Sequence, residues 1–91
     1  MKCRIKDSKQ IVSAYKFNTS SMNEVIIGWD NGAEDAGMDS CFIKDLDILI
    51  DNKWKDLGAA FRDKDIITDN YDTHFFIPQN EEDKKRGYTL Y

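Results

Sequence analysis

The sequence predicts a small, mainly β domain: a curved antiparallel sheet or barrel with at most one short helix, near residues 53–62. An α+β fold is the alternative class. Three observations support this prediction. Six or seven short segments alternate apolar and polar residues, as half-buried strands do. Loop-type residues separate these segments. The length of 91 residues, 41% of them hydrophobic, suffices for one modest core in a single domain spanning residues 1–91.

The first two strands are predicted at residues 2–6 and 10–17. Both combine β-branched or aromatic side chains with alternating polar ones, and the short polar segment between them suits a hairpin turn. Residues 18–21, Asn-Thr-Ser-Ser, have the composition of a loop. We therefore expect a hairpin at the start of the chain, followed by a loop.

The next two strands are predicted at residues 24–30 and 42–50, on either side of a polar loop at residues 31–39. The first alternates valine, isoleucine and tryptophan with acidic or small residues, and the second alternates leucine and isoleucine with aspartate. Because only a loop separates them, we expect these two strands to be adjacent and antiparallel.

Residues 53–62 fit two local structures. The turn-like residues before Trp54 suit a hairpin that leads into another strand. Alternatively, Trp54, Leu57 and Phe61 recur at helical spacing, with Asn52 as the N-cap. The helical spacing slightly favours a short helix or helical turn.

The last third of the chain predicts three short strands and a loop. Residues 65–68 suit a short strand, and residues 73–77 form a strand that ends before Pro78, which has no N–H for a ladder. Residues 79–86 are expected to be a charged loop. Residues 87–91, with alternating tyrosine, threonine and leucine, predict a last strand.

The charge is distributed unevenly along the chain. Residues 18–52 hold eight acidic residues and one lysine, which gives −7, whereas the whole chain carries −4. If the two central strands are adjacent, most of these acids lie on one face of the sheet, and we expect that face to bind a partner. The predicted partner-binding residues are Glu24, Asp30, Glu34, Asp35, Asp39, Asp45, Asp47 and Asp51.

An acidic sheet face suits a basic protein surface, such as the phosphate-binding groove of a nucleic-acid-handling protein, because carboxylates can stand in for phosphates. The first hypothesis is therefore a non-enzymatic, protein-binding inhibitory module, of the class of inhibitors and anti-defence proteins that phages and mobile elements make. The alternative is a solvated face that only keeps the chain soluble. Direct binding of nucleic acid is disfavoured, because acids flank the basic run at residues 84–86.

The C-terminal segment carries more aromatic side chains than a thin domain is expected to bury. This excess predicts a homodimer or partner interface within residues 71–91. A second hypothesis uses the same aromatics to bind a small ligand or nucleotide, and a third makes the chain a structural subunit of an assembly. The predicted interface residues are Tyr71, Phe75, Phe76, Tyr88 and Tyr91.

Signals for catalysis, metals and membranes are weak. No nucleophile or phosphate-loop motif is present, His74 is the single histidine, and residues 30–39 lack the ligand order of a calcium loop. Cys3 and Cys41 suit two reduced, partly buried thiols. With no apolar stretch of about 20 residues and no signal-peptide pattern, the sequence predicts a cytoplasmic protein without enzyme activity, metal, cofactor or membrane partner.

Overall fold

The computed structural model describes residues 1–18, 21–30, 36–69 and 74–87. Six strands form one antiparallel sheet in the order β4-β3-β2-β1-β5-β6, and two further strands form a small second sheet. The elements are β1 (Lys2–Ile5), β2 (Ile11–Asn18), β3 (Ser21–Asp30), β4 (Ala36–Phe42), a 3₁₀ turn (Ile43–Asp45), β5 (Leu46–Ile50), β6 (Lys53–Asp56), α1 (Leu57–Arg62), β7 (Ile67–Thr68), β8 (Phe75–Phe76) and α2 (Glu81–Arg86).

The mainly β class predicted from the sequence is confirmed. Of the two forms expected, the open sheet is the one observed, with β4 and β6 at its edges. The hairpin of β1 and β2 is present as predicted, with Cys3 opposite Val12. The predicted loop at residues 18–21 is shorter than expected, since Asn18 ends β2 and Ser21 begins β3.

The predicted pairing of residues 24–30 with residues 42–50 is wrong. The neighbour of β3 is β4, which forms from residues that were mostly assigned to a loop. The 3₁₀ turn then interrupts the extended segment, and β5 pairs with β1 and β6 instead. The turn places Ile43 in the core, at 1% exposure, so apolar residues continue through it and conceal the break in the sequence pattern.

Both predicted structures occur within residues 53–62, one after the other. Asp51 and Asn52 have φ values of 52° and 63°, as in the primed turns that join antiparallel strands, and they connect β5 to β6. The helix α1 begins only after β6. Its N-cap is Asp56 rather than Asn52, and the Asp56 Oδ2 atom accepts a hydrogen bond from the Ala59 N–H at 3.0 Å.

The prediction of a charged loop at residues 79–86 is wrong, because Glu81–Arg86 form α2. The described residues therefore contain two short helices rather than one. The Asn80 side chain caps α2 by accepting the Asp83 N–H. Acids occupy its first turn and bases its last, which suits the helix dipole. The strand predicted to end the chain lies outside the described residues except for Gly87. Neither described helix is long and apolar enough to cross a membrane.

One face of the sheet, the inner face, packs against α1 and the segments that carry Ile66 and Phe75. At its centre the rings of Phe17, Phe61 and Phe75 lie 5.0–5.1 Å apart between centroids. Tilted and edge-to-face contacts at this spacing favour such aromatic clusters. The opposite face of the sheet is called the outer face below.

Candidate functional site

The outer face of β2, β3 and β4 is defined by strand alternation and register. Val25 and Ile27 are buried on the inner face, so Ile26 between them points outward. Because residues directly opposite each other share a face, the pairing of Gly28 with Met38 and of Glu24 with Phe42 places Met38 and Phe42 on the outer face too.

This face collects exposed apolar side chains. Among the described residues, five large hydrophobic side chains are exposed, and four of them are on it: Ile11 (45%), Tyr15 (42%), Met38 (69%) and Phe42 (48%). Ile26 is half-buried between them. These five residues, Ile11, Tyr15, Ile26, Met38 and Phe42, are called the apolar patch below. A cluster of this kind on one face is typical of a binding surface rather than of scattered surface hydrophobics.

Two glycines of β3 and β4 lie directly under aromatic rings, Gly28 on the outer face beside the patch and Gly37 on the inner face. A Cβ atom on Gly28 would lie 2.9 Å from Tyr15 Cε2, so the tyrosine ring rests directly on the glycine. A Cβ on Gly37 would lie 2.6 Å from Trp29 Cζ2, so the indole covers Gly37 in the same way. These cross-strand contacts favour one register of β3 against its neighbours.

The hairpin of β3 and β4, residues 21–42, contains five acidic residues and neither lysine nor arginine. Seven consecutive residue pairs join the two strands without a register shift. The cation-free part of the sequence therefore supplies two regularly paired strands at one edge of the sheet. Glu24 is half-buried on the outer face, whereas Asp39, opposite Ile27, is exposed at the inner side. Asp30 pairs with Ala36 through the backbone.

The remaining predicted acids do not join this hairpin. Three strand spacings, about 14 Å, separate β5 from β3. Asp45 lies in the 3₁₀ turn, Asp47 is on the outer face of β5, and Asp51 is in the turn to β6. Glu34 and Asp35 lie outside the described residues. The acids thus do not form the single face expected from the wrong strand pairing, and their role in binding stays a prediction.

The outer face of β1, β5 and β6 holds a network of paired charges instead. The Arg4 guanidinium lies 4.4 Å from the centroid of the Trp54 ring, and its Nη2 atom is 3.0 Å from Asp47 Oδ2. A hydrogen bond with Asp56 raises the pKa of Lys6. Burial acts to raise the pKa of Asp56, but hydrogen bonds from Lys6 and the Ala59 N–H outweigh it and lower that pKa. These internal pairings leave this half of the face less suited to a partner.

The thiols, the histidine and the carboxylates of the described residues form no arrangement typical of a catalytic or metal site. Burial raises the pKa of the Cys3 thiol to about 11, and burial also raises that of Cys41. Both cysteines are free thiols, and neither is activated as a nucleophile. His74 is exposed, and its backbone bridges to Lys16 of β2. No group of three or more His, Cys, Asp or Glu residues able to hold a metal ion occurs among the described residues.

The structure contradicts part of the predicted oligomer interface. Phe75 is 8% exposed and belongs to the core, so it is not available to a partner. Phe76 is half-buried, with the Arg86 guanidinium 4.8 Å from its ring centroid. Tyr71, Tyr88 and Tyr91 lie outside the described residues. Self-association through this segment therefore stays a prediction that no longer includes Phe75.

A groove of about 300 Å³ lies between the turn after β5, the end of α1 and the beginning of α2. Its lining combines apolar side chains with two lysines and two aspartates, and the described lining includes no aromatic residue. The hypothesis of a small ligand bound by aromatic side chains is therefore not supported by this groove, and it stays a prediction. The lining residues are Leu49, Ile50, Asp51, Lys64, Asp65, Ile77, Pro78 and Lys84.

Sequence reasoning did not single out the apolar patch. Met38 lies within the predicted loop at residues 31–39, and Ile11, Tyr15 and Ile26 lie in predicted strands with no further signal. One signal pointed to the site: the absence of lysine and arginine, which marks the same hairpin. Comparison of the chain with protein-family models, with curated protein sequences and with solved structures finds no match.

Proposed function

We propose that this chain is a non-enzymatic protein-binding module whose contact surface is the apolar patch together with the acidic β3–β4 hairpin. The observation that carries the proposal is that, of the five large hydrophobic side chains exposed in the described part of the chain, four lie on one face of the sheet. Glu24 of the same hairpin lies beside the patch on that face, and the sequence of the hairpin contains four further acids and neither lysine nor arginine. An apolar centre with a charged rim is the usual anatomy of a protein interface.

The chemistry of this surface selects the partner. An apolar spot bordered by lysine or arginine complements it in both shape and charge, and the negative field of the hairpin accelerates encounter with a basic protein. A nucleic-acid-handling protein is one class with such a surface, and occupying it would inhibit that protein. In this proposal the module acts in the cytoplasm, where the free thiols of Cys3 and Cys41 stay reduced.

The test removes the β4 part of the apolar patch without changing the charge of the chain. In the double variant Met38→Ser and Phe42→Ser, the module loses two of its most exposed apolar side chains. The matched control is Ile77→Ser, because Ile77 is 42% exposed but lines the groove at the other end of the molecule. Proteins captured from the producing cell by the wild-type chain are identified by mass spectrometry, and each purified protein is titrated against the three forms.

We expect the double variant to bind the captured partner at least about tenfold more weakly, which is ~1.4 kcal/mol. The control variant should bind within about twofold of the wild-type chain. Equal affinities of all three forms would show that the partner contacts another surface. An equal loss in both variants would show that the effect is not specific to the patch.

A further inference from the structure

The two edges of the sheet differ in how they are protected. β6 is four residues long, carries Lys53 and Lys55, and leads directly into α1, which packs beside it. β4 is seven residues long, has no lysine or proline, and keeps an unbroken register with β3. Short length, lysines and cover by a helix are the usual defences of an edge strand against further pairing. In the described part of the chain, β6 has these defences and β4 has none of them.

The hydrogen bonds of β4 show which of its amides face away from the sheet. The Ser40 N–H donates to Oδ1 of the preceding residue, Asp39, at 2.8 Å. An amide bonded to its own neighbour's side chain is on the side of the strand away from β3. Antiparallel strands alternate in this respect, so the N–H groups of Met38 and Phe42 face the same way.

We propose that the edge of β4 binds an extended segment of the partner protein, which adds to the sheet as a seventh strand. This inference rests on the proposed function and specifies how the partner is held. The backbone of the incoming segment would bond to the outward amides of Met38, Ser40 and Phe42. Its alternate side chains would then lie beside Met38 and Phe42 and extend the apolar patch across the new strand.

Charge decides what kind of segment fits. Pairing of β4 with a second copy would bring together two hairpins that each hold five acids and no cation, with Asp39 near its own copy. Like charges on paired strands are unfavourable, so self-pairing is opposed. A segment that alternates apolar residues with lysine or arginine meets both requirements. When a backbone carbonyl takes over the Ser40 N–H, the Asp39 carboxylate becomes available to such a cation.

The experiment uses an acetylated peptide of about ten residues that alternates valine and lysine, titrated into the isotope-labelled chain. The control peptide has the same side chains, but alternate backbone nitrogens are methylated, so one edge cannot form ladder bonds. We expect hydrogen exchange at Met38, Ser40 and Phe42 to slow by at least about tenfold with the first peptide. The methylated peptide should bind at least about tenfold more weakly.

Three results would overturn the inference: equal binding of the two peptides, unchanged exchange at these amides when the first peptide is saturating, or no binding of the first peptide. A variant gives a second measurement. Met38→Pro removes one outward N–H, which edge strands tolerate, while Met38→Ala removes the side chain and keeps the N–H. We expect Met38→Pro to weaken binding more than Met38→Ala, and the reverse order would also overturn the inference.

Failure of this inference is distinguishable from failure of the proposed function. If the Met38→Ser and Phe42→Ser variant loses its partner but both peptides bind equally, the module binds through its face and not by strand addition. If instead the double variant binds the partner as tightly as the wild-type chain does, and the unmethylated peptide still protects the three amides, the edge binds a segment and the face does not contact the partner.

Discussion

Arg4 is held between two side chains on the outer face of the sheet. Its guanidinium stacks on Trp54 and donates to Asp47, and the Arg4 and Asp47 side chains are only 24% and 16% exposed. Because the pair is partly buried, loss of one partner is expected to reduce stability more than it would at an ordinary surface ion pair. Asp47 was predicted to belong to a partner-binding surface, but its partner in the structure is a residue of the same chain.

Asp47→Asn is therefore expected to lower the free energy of unfolding by about 1–2 kcal/mol, because it leaves the half-buried guanidinium without its anion. Asp45→Asn makes the same change at an exposed position of the 3₁₀ turn and should stay within about 0.5 kcal/mol of wild type. Urea denaturation at neutral pH measures both. Equal losses in the two variants would contradict the structural role of the Arg4–Asp47 pair.

Asp56 has two functions, which two variants separate. Its Oδ1 atom pairs with Lys6, and its Oδ2 atom caps α1 at the Ala59 N–H. Asp56→Asn keeps a capping oxygen and loses the ion pair, whereas Asp56→Ala loses both. We expect Asp56→Ala to be less stable than Asp56→Asn by about 1 kcal/mol, the usual value of an N-cap, in thermal or urea unfolding.

The lowered pKa of Asp56 also predicts a pH dependence. A carboxyl whose pKa is lower in the folded state stabilises the fold above its unfolded pKa, near 4, and loses that contribution as the pH falls through the folded value. The stability difference between wild type and Asp56→Asn should therefore shrink below about pH 4. A difference that stays constant from neutral pH to about pH 2.5 would contradict this account.

Some strands and helices could be predicted from the local sequence pattern, whereas others depend on contacts between distant residues. The strand at residues 24–30 was predictable, because alternation alone buries Val25 and Ile27. β4 was not, since Gly37, Asp39 and Ser40 suit a loop, and the Trp29 ring that covers Gly37 is a tertiary contact that no local pattern shows. α2 has no buried residue and hence no apolar periodicity; its cap and its order of charges were the available signals.

The packing of Phe17, Phe61 and Phe75 in the core predicts which of the adjacent residues Phe75 and Phe76 contributes more to stability. Phe75→Ala should cost about 3–5 kcal/mol, because it leaves a cavity beside Phe17 and Phe61. Phe76→Ala should cost less, since that ring is half-buried under Arg86. Urea unfolding measures both. A Phe75→Ala variant as stable as Phe76→Ala would remove Phe75 from the core.

The hairpin charges should control how fast the partner binds. Replacing Glu24 with Gln and Asp39 with Asn is expected to slow association and weaken its salt dependence, with little change in dissociation. Asp51→Asn is the control, since that exposed acid lies in the turn beyond β5. Surface plasmon resonance with the captured partner at several salt concentrations measures the rates. A slower association in the control alone would place the steering charge outside the hairpin.

At the scale of the whole molecule, one face of a six-stranded sheet carries the core, and the other face carries the apolar patch at one end and paired charges at the other. Composition and alternation predicted the β class. They did not predict the strand order, because β5 crosses to the far side of β1 after a turn that leaves no break in the apolar pattern. Without the strand order, the acids are expected to share one face, and the sequence therefore predicts a binding site made only of acidic residues.

In the proposed function, the β3–β4 hairpin is the part of the chain that contacts a partner. Photo-cross-linking in the producing cell tests it directly, with the photoreactive residue benzoylphenylalanine at Met38 in one variant and at Lys53, on the opposite edge, in the other. We predict that the Met38 variant yields a discrete heavier species containing a second protein and that the Lys53 variant does not. A cross-linked species that forms at Lys53 but not at Met38 would show that the partner contacts the β6 edge and not the β3–β4 hairpin.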